Sequence, residues 1–268
     1  MRISARPIQP GTARGTVLAS ATSLSLLGGI DREEGEILDG DTGLQGERVQ
    51  DRILVFPRGK GSTAGSYVLY GLKARGRAPA ALVAGEAESV VATGAILSEI
   101  PAVDRVQVDL LRTGDTATVN ATEGYVELEG IPRRDVVTSF LRHEGRILLL
   151  RRSSEVGSFQ GYWAAVSGYL EGEEPPLERA RMEVLEETGW QDATLEASGE
   201  VVLARGREPG VVWAVYPFLF DVSSDGVTLD WEHDDYRWIA PEDLGRYQTV
   251  PKLREVLRSV LPDLSASA

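Results

Sequence analysis

The run PPLERARMEVLEETGW carries local signals for both the start and the end of a helix. Pro175 and Pro176 suit a first helical turn, because the amide protons there have no partner within the helix. Gly189 suits the left-handed residue that follows a helix. The sequence therefore predicts a helix that ends at about Thr188. Its buried side is expected to comprise the Leu177 region, Ala180 and Val184.

Three glutamates share one face of this predicted helix. Glu183, Glu186 and Glu187 are spaced i, i+3 and i+4. Like charges at this spacing cost roughly 0.2 to 0.5 kcal/mol per pair, so the cluster needs either bulk solvent or a counter-cation. A hard divalent cation suits it, because Mg²⁺ favours carboxylate oxygens, water and phosphate. The alternative is a solvated acidic helix face.

The length and one change of pattern predict two domains. A chain of 268 residues has room for two domains of roughly 100 to 200 residues each. The segment EGIPRRD, from Glu129 to Asp135, combines glycine, proline and charge, and the pattern differs on its two sides. We therefore predict one domain over residues 1–130 and a second over residues 134–262.

Both predicted domains mix strands and helices. The first has short β-rich runs separated by glycine, a helix at about 64–75 and a weaker helix at 86–93. The second has a hairpin that turns at Glu144 and Gly145, and a final helix at 251–261. Its further predicted strands are WAAVSG, GEVVLAR and VVWAVYPFLFDV.

Charge and cysteine content argue against several classes of function. The formal net charge of −13 repels nucleic-acid backbones and anionic lipid surfaces, so we expect neither nucleic acid nor a membrane as partner. Without cysteine, the chain itself holds no disulfide, no thiolate zinc site and no cysteine-bound iron–sulfur cluster. No secretory-signal pattern and no apolar run of about 18 residues is present, so a cytoplasmic protein is expected.

The spacing around the acidic helix resembles the Nudix signature. Gly168 is followed after five residues by Glu174, and after seven more by MEVLEETGW, which begins at Met182. The resemblance covers about residues 134–262 and implies an α/β/α sandwich. It also implies a hydrolase that uses Mg²⁺ or Mn²⁺ to cleave a diphosphate bond in a small phosphorylated substrate, such as a nucleoside triphosphate.

The Nudix resemblance implies roles for individual acids. Glu183 and Glu187 are the implied principal metal ligands, and the Ser167 carbonyl completes their coordination. Glu186 is either a further ligand or the base that deprotonates the attacking water. Glu232, which follows the helix, is an additional base or ligand, with a plain surface acid as the alternative.

One position departs from the family pattern. The family has an arginine directly before the first helix glutamate, where this chain has Met182. Helix geometry is expected to turn Arg179 and Arg181 to other faces, so neither is expected to replace it. We interpret the domain as a working hydrolase, with a regulatory or binding protein as the alternative. Trp163 and Trp213 are interpreted as core residues rather than base-stacking ones.

One activity of the Nudix fold is excluded by composition. Isopentenyl diphosphate isomerases share this fold and need a cysteine as acid and base. The chain has no cysteine, so that activity is not expected here.

A glycine-rich loop, GKGSTAGS at residues 59–66, leads into the predicted helix of the first domain. Small residues at a helix entrance favour an anion, because free amide protons and the helix dipole point there. The loop is not a Walker A motif, because Lys60 is followed by Gly61 rather than by serine or threonine. A plain glycine-rich turn is the alternative.

A series of motifs in the first domain resembles the small, swivelling subunit of aconitase X enzymes, a family that includes phosphomevalonate dehydratases. The motifs ISARPIQPGTARGTVLAS, SLSLLGGID, GLQGERVQDRILVFPRGKGSTAGS, APAALVAG and GAILSEIP follow in order over about residues 2–128. The resemblance implies a β/β/α swivelling domain that closes over a cysteine-bearing large subunit. The iron–sulfur cluster belongs to that subunit, in agreement with a chain that lacks cysteine.

This second resemblance also implies site residues. Ser62 matches the serine that removes a carbon-bound proton during dehydration, and Lys60 is a candidate to stabilise its alkoxide. Leu26 and Leu27 stand where the family has an aromatic pair, which argues against an identical substrate. Further candidate substrate-binding positions are Gly28, Gly29, Gly61, Thr63 and Ser66.

The chain is therefore predicted to combine α/β and α+β folds, with an N-terminal β/β/α swivelling domain followed by a Nudix α/β/α sandwich. The pairing suggests isoprenoid metabolism, with a hydro-lyase half that acts in complex with a large subunit. Two alternatives remain. The first domain is a binding or regulatory module without a dehydratase partner, or the whole chain is a non-enzymatic sensor.

Overall fold

The computed structural model of the chain describes residues 1–206 and 210–263. The chain divides into two compact units, Met1–Ile131 and Pro132–Ala268. Each described core cluster of buried apolar residues lies within one unit. No helix in the described ranges has both the length and the apolar character needed to cross a membrane.

The first unit is a β-sheet with two α-helices. Its strands are β1 Arg2–Ser4, β2 Arg6–Gln9, β3 Thr12–Ala19, β4 Leu24–Ser25, β5 Ile53–Lys60, β6 Ala81–Glu86, β7 Ala102–Asp104, β8 Thr116–Asn120 and β9 Tyr125–Leu128. Its α-helices are α1 Ser66–Ala74 and α2 Ser89–Leu97. Short 3-10 helices cover Gly40–Thr42, Thr63–Gly65 and Val108–Leu110.

The strands of this unit form two arrays that meet at β3. Strands β1, β9, β8 and β3 are antiparallel in that order, whereas β3, β5, β6 and β7 are parallel, with β2 antiparallel at the edge. Leu54 and Phe56 lie two residues apart on β5 and so share a face, which packs with Leu69 and Leu72 of α1 in one core. The predicted β/β/α arrangement is confirmed.

Helix α2 begins later than predicted. The sequence indicated a helix at 86–93, but β6 continues to Glu86, which pairs with Arg58 of β5. The next backbone amide, that of Ala87, donates to the Asp104 carboxylate at 3.1 Å. The chain is therefore held by these partners before α2 starts at Ser89. Strands β1, β2, β4 and β7, which have two to four residues each, were not predicted from the sequence.

The second unit is a mixed sheet with a helix on each side. Its strands are β10 Arg133–His143, β11 Arg146–Arg152, β12 Trp163–Ala164, β13 Val166–Tyr169, β14 Thr194–Ser198, β15 Val202–Arg205, β16 Val212–Asp221 and β17 His233–Ile239. Its α-helices are α3 Pro176–Thr188 and α4 Leu253–Val260, with a 3-10 helix at Pro241–Arg246.

The centre of this sheet is the parallel pair β10 and β16, which stays in register from Arg133 with Val212 to Arg142 with Asp221. Both faces of β10 are apolar. Val137 packs in the cluster that contains residues of α3, and Phe140 packs in the cluster that contains residues of α4. Its central residues, VVTSFL, are therefore covered on both faces, and two of them, Thr138 and Ser139, are buried polar residues. The predicted α/β/α sandwich is confirmed.

The turn residues explain the hairpin of β10 and β11, whereas two edge strands, β14 and β17, were not predicted from the sequence. Glu144 and Gly145 both have positive φ, 46° and 77°, which is the geometry of a two-residue turn between antiparallel strands. The run WAAVSG forms two short strands, because β12 pairs with β11 and β13 pairs with β10. The unpredicted strands, β14 and β17, are rich in polar residues.

Candidate functional site

Helix α3 carries the acidic residues of the second unit. Pro176 is the first residue of the helix, and Gly189 follows it in the left-handed conformation, φ 78°, with its amide bonded to the Leu185 carbonyl. Ala180 and Val184 face the sheet, where they join the core formed by β10, β11 and β16. The helix therefore lies with one side buried and presents a second side to the end of β13.

Glu183 lies directly over Gly168 of β13. A Cβ atom built on Gly168 would overlap the Glu183 carboxylate, so a larger residue at position 168 would move the Glu183 side chain from this place. The close approach leaves Glu183 only 6% exposed. Burial raises the pKa of Glu183, and hydrogen bonding to Arg179 opposes that rise.

Glu187 is the most buried carboxylate on α3, with 4% exposure. Its Oε1 accepts a hydrogen bond from the Ser167 amide at 3.2 Å, whereas its buried Oε2 has no hydrogen-bond partner. Burial, with the nearby charge of Glu183, raises the pKa of Glu187 well above its ordinary value. An ionised carboxylate held in this way calls for a cation.

The third glutamate differs from the other two. The Glu186 side chain is 57% exposed and reaches the mouth of a cavity rather than the helix–sheet interface. The spacing argument placed the three acids on one face. The structure shows a graded row, with Glu183 and Glu187 buried and Glu186 at the solvent edge.

The prediction for Arg179 was wrong. Its Nη2 donates to Glu183 Oε1 and lies 4.0 Å from Glu186 Oε2. Arg179 precedes Glu183 by four residues, one helical turn, so the two side chains share a face. In the described part of the chain, no three His, Cys, Asp or Glu side chains are arranged as a ready metal site.

Two residues near Glu187 were not singled out from the sequence. His233 on β17 is buried, its Nε2 lies 3.8 Å from Glu187 Oε2, and its Nδ1 lies 2.9 Å from Asp230 Oδ1. The run DWEHDD carries both residues, but its link to α3 arises only through the pairing of β17 with β11. His233 therefore lies beside the buried end of the acidic row without a hydrogen bond to Glu187.

A cavity of about 350 Å³ opens beside this row. Its polar side includes Glu232, which is half-buried, so the structure brings this predicted residue to the same place as Glu183 and Glu186. Trp213 also lines the cavity, with its ring 5.7 Å from that of Tyr169. Other lining residues are Val136, Thr138, Ala164, Ala204, Val215, Val250, Leu253 and Val256.

The two tryptophans considered from the sequence have different surroundings. Trp163 is buried in the α4-side core, 8% exposed, as expected. Trp213 packs against that core from its edge and also faces the cavity. It is thus a core residue with one side open to a ligand.

The glycine-rich loop of the first unit lies beside the Gly28–Gly29 turn. Strand β4 pairs with the end of β5, Ser25 opposite Lys60, and so carries the turn to the loop. Gly61 has φ 109°, and a Cβ built on it would lie 3.4 Å from the Ser25 hydroxyl. The structure therefore brings together the candidate residues at 28–29 and 60–66.

The side chains of this loop are arranged by local hydrogen bonds. Ser62 is exposed, and its hydroxyl oxygen accepts from the Ala64 amide at 3.3 Å. The Ser66 hydroxyl donates to the Thr63 carbonyl at 2.7 Å. Lys60 Nζ lies 3.2 Å from Asp39 Oδ2, an acid that the sequence analysis did not single out.

Comparison with known families identifies both units. Residues 2–128 match the model of the aconitase X swivel domain, and residues 132–264 match the model of the NUDIX domain. The chain belongs to the aconitase X swivel family and carries a Nudix domain. Both resemblances drawn from the sequence motifs are confirmed.

Relatives of the swivel domain cover about half of the chain. The phosphomevalonate dehydratase small subunit of Thermococcus kodakarensis is 50% identical over 128 residues, which are 48% of this chain and 96% of the relative. The protein of the same name from Methanococcoides burtonii is 46% identical over 131 residues, 48% of this chain and 96% of the relative.

Solved structures match each half in turn. Thermococcus kodakaraensis aconitase X, in its holo-form, has a TM-score of 0.47 and 49% identity, and the match covers 48% of this chain and 98% of the other. The MutT protein from Methanosarcina mazei Go1 has a TM-score of 0.43 and 28% identity, with coverage of 53% and 100%.

Proposed function

We propose that the Nudix domain is a hydrolase that uses Mg²⁺ or Mn²⁺ to cleave a diphosphate bond in a nucleoside or other organic diphosphate or triphosphate. One observation carries this proposal. Glu183, which lines the cavity, and Glu187, one helical turn further along α3, are both buried, and one oxygen of Glu187 has no hydrogen-bond partner. Buried carboxylates without sufficient donors destabilise a protein unless a cation binds them.

The donor set fits a hard divalent cation. Glu183 and Glu187 would hold it from α3, with Glu186 and Glu232 at the edge of the cavity as further oxygen donors. When bound, such an ion offsets the charge of the phosphates and lowers the pKa of a water molecule.

The chain's own residues position the reaction. The Ser167 amide fixes Glu187 through Oε1. Glu186 or Glu232, both at the cavity, accepts the proton that the attacking water loses as its oxygen bonds to phosphorus. The bridging P–O bond breaks in the same displacement, and the departing phosphate takes the electron pair. The apolar wall with Trp213 holds the organic part of the substrate.

A diphosphate panel tests this proposal. Purified protein with Mg²⁺ is expected to release phosphate or pyrophosphate from at least one compound, and Glu187→Gln is expected to lower that rate by roughly 100-fold or more. Glu178→Gln, an exposed acid in the first turn of the same helix, is the matched control. Thermal stabilisation by a compound without turnover would instead identify a binding protein.

We further propose that the swivel domain acts as the small subunit of a hydro-lyase. Relatives named phosphomevalonate dehydratase small subunit share 50% and 46% identity with it over nearly their whole length. Ser62 is the proposed base for the carbon-bound proton, with its oxygen held by the Ala64 amide. Because the chain lacks cysteine, a large subunit has to supply any cysteine-bound iron–sulfur cluster.

Reconstitution tests this second function. The chain is expected to copurify with a cysteine-bearing aconitase X large subunit and to give dehydratase activity on phosphomevalonate. Ser62→Ala is expected to abolish that activity but not the complex, whereas Ser4→Ala, an exposed serine on β1, leaves both intact. Failure to form a complex would favour a regulatory module attached to the Nudix domain.

A further inference from the structure

Arg179 already occupies the acidic row as a cation. Its Nη2 donates to Glu183 Oε1 and lies 4.0 Å from Glu186 Oε2. The side chain is 24% exposed and lines the cavity. An arginine keeps its charge at any physiological pH, so it neutralises Glu183 at the place where a divalent ion would bind.

The pairing leaves part of the arginine unsatisfied. The Arg179 Nε is buried and has no hydrogen-bond partner, although the Nη2 of the same guanidinium is bonded. A guanidinium can donate five hydrogen bonds in a planar fork. Arg179 therefore retains donor capacity that a phosphate, with several acceptor oxygens, is suited to fill.

The two residues directly before Glu183 on α3, Arg181 and Met182, do not offer such a free donor to the cavity. Met182 carries no charge and is about half exposed. Arg181 donates to the Ala193 carbonyl at 3.0 Å and lies over the Phe220 ring. Among the described residues that line the cavity, the basic side chains are Arg152 and Arg179.

We propose that Arg179 is a displaceable counter-cation of the hydrolase site. It holds Glu183 in the metal-free protein, leaves that carboxylate when a divalent ion binds, and then donates to the diphosphate in the cavity. This inference rests on the proposed hydrolase function, because it needs a divalent ion at Glu183 and Glu187. It assigns to Arg179 both a competition with metal and a contact with substrate.

Metal binding without substrate tests the competition. The probe is Mn²⁺, and the free ion is measured by electron paramagnetic resonance during titration of the full chain. Arg179→Gln is expected to bind Mn²⁺ about fivefold more tightly than wild type, the ratio expected for one partly exposed ion pair. Arg181→Gln removes the same charge from the same helix, so it controls for the general loss of a positive charge.

Turnover tests the contact with substrate. With saturating Mn²⁺, Arg179→Gln is expected to raise KM by about tenfold, as the loss of a charge-assisted contact to phosphate would. A purely structural role for Arg179 predicts no gain in metal affinity, so the two readouts together separate these roles. Arg179→Lys keeps a charge but not the fork, and its Mn²⁺ affinity is expected between those of wild type and Arg179→Gln.

The outcomes distinguish this inference from the hydrolase proposal. If wild type binds Mn²⁺ and Glu187→Gln does not, but Arg179→Gln binds no more tightly than Arg181→Gln, the hydrolase proposal stands and the role of Arg179 is refuted. If neither wild type nor Arg179→Gln binds Mn²⁺, both are refuted. If circular dichroism shows that Arg179→Gln does not fold, the Mn²⁺ affinity of Arg179→Lys is measured instead. An affinity of Arg179→Lys equal to that of wild type would then overturn the inference.

Discussion

Glu187, a proposed metal ligand, has a buried side chain that is expected to lower the stability of the fold. Its carboxylate is almost fully buried, and one of its oxygens has no hydrogen-bond partner. The nearest ring nitrogen, His233 Nε2, lies 3.8 Å away, too far for a hydrogen bond. Such a group destabilises the metal-free protein, and bound metal would reverse that effect.

The first prediction concerns Glu187→Gln. The pKa of Glu187 is raised in the folded state. The stability that this group contributes is therefore fully present below pH 4.5, its ordinary pKa, and is lost as the pH rises through the folded-state pKa. At pH 7 the amide, which keeps the acceptor for Ser167, is expected to stabilise the metal-free protein by about 1 kcal/mol. Urea unfolding with EDTA measures this, with Glu178→Gln as control. A less stable variant would contradict the account.

The second prediction concerns Asp104, whose pKa shifts in the opposite direction to that of Glu187. Burial raises the pKa of Asp104, but hydrogen bonds from Arg6, at 2.8 and 2.6 Å, and from the Ala87 amide outweigh it, so the pKa is lowered. The Asp104 carboxylate therefore stabilises the fold fully above pH 3.8, its ordinary pKa. This contribution is lost as the pH falls through the folded-state pKa.

Asp104→Asn is accordingly expected to destabilise the swivel domain by about 2 kcal/mol at pH 7, because the charge on a hydrogen-bonded buried group is lost. The difference from wild type should shrink as the pH is lowered below about 4. Urea unfolding at pH 7 and at low pH measures it, with the exposed Asp41→Asn as control. An unchanged difference at both pH values would exclude the ion pair as its cause.

At the scale of secondary structure, the crossing of α3 over β13 builds the candidate site. The helix packs on the sheet through Ala180 and Val184, and Glu183 fills the space that Gly168 leaves open. The position of the buried acids therefore depends on one glycine of the neighbouring strand as much as on the helix itself.

The third prediction is that Gly168→Ala displaces Glu183. The added methyl group would overlap the carboxylate, so Mn²⁺ affinity is expected to fall by at least about tenfold, and the free energy of unfolding by about 1 to 3 kcal/mol. Gly157→Ala is the matched control, because a Cβ at Gly157 meets no atom within 4 Å. Unchanged metal affinity in Gly168→Ala would show that Glu183 is not a ligand.

The elements set by local signals were predictable, and those set by distant pairing were not. Helix α3 begins and ends where its sequence indicates, because Pro176 acts on its first turn and Gly189 on its last. Strand β17, HDDYRWI, shows little apolar alternation and exists through its pairing with β11. His233 consequently reaches Glu187 by a route that no spacing in the sequence reveals. The contact of Arg179 with Glu183 follows from the i, i+4 rule, so the expectation that Arg179 faces elsewhere misapplied helix geometry.

At the scale of the whole molecule, the two units have separate cores. The swivel-domain core includes Phe56 and Leu72, and the Nudix cores include Phe140 and Val184. The site residues divide in the same way, with the Ser62 loop in one unit and the acidic row in the other. Sequence alone located both sets, whereas the roles assigned to them stay predictions.

The fourth prediction is that the two units unfold in separate transitions. In calorimetry, Mn²⁺ is expected to raise the midpoint of one transition, because a ligand stabilises the unit that binds it. Asp104→Asn is expected to lower the midpoint of the other, since that residue lies in the swivel domain. A single transition that responds to both changes would show that the units unfold cooperatively.

The exposed side chain at position 182 is a suitable place for a label that monitors the acidic row. Met182 is 47% exposed and directly precedes Glu183. Because the natural chain has no thiol, Met182→Cys would create a unique attachment point for a fluorophore. An environment-sensitive dye there would sit one residue from the proposed cation exchange and report it in real time, with the swivel domain left unlabelled.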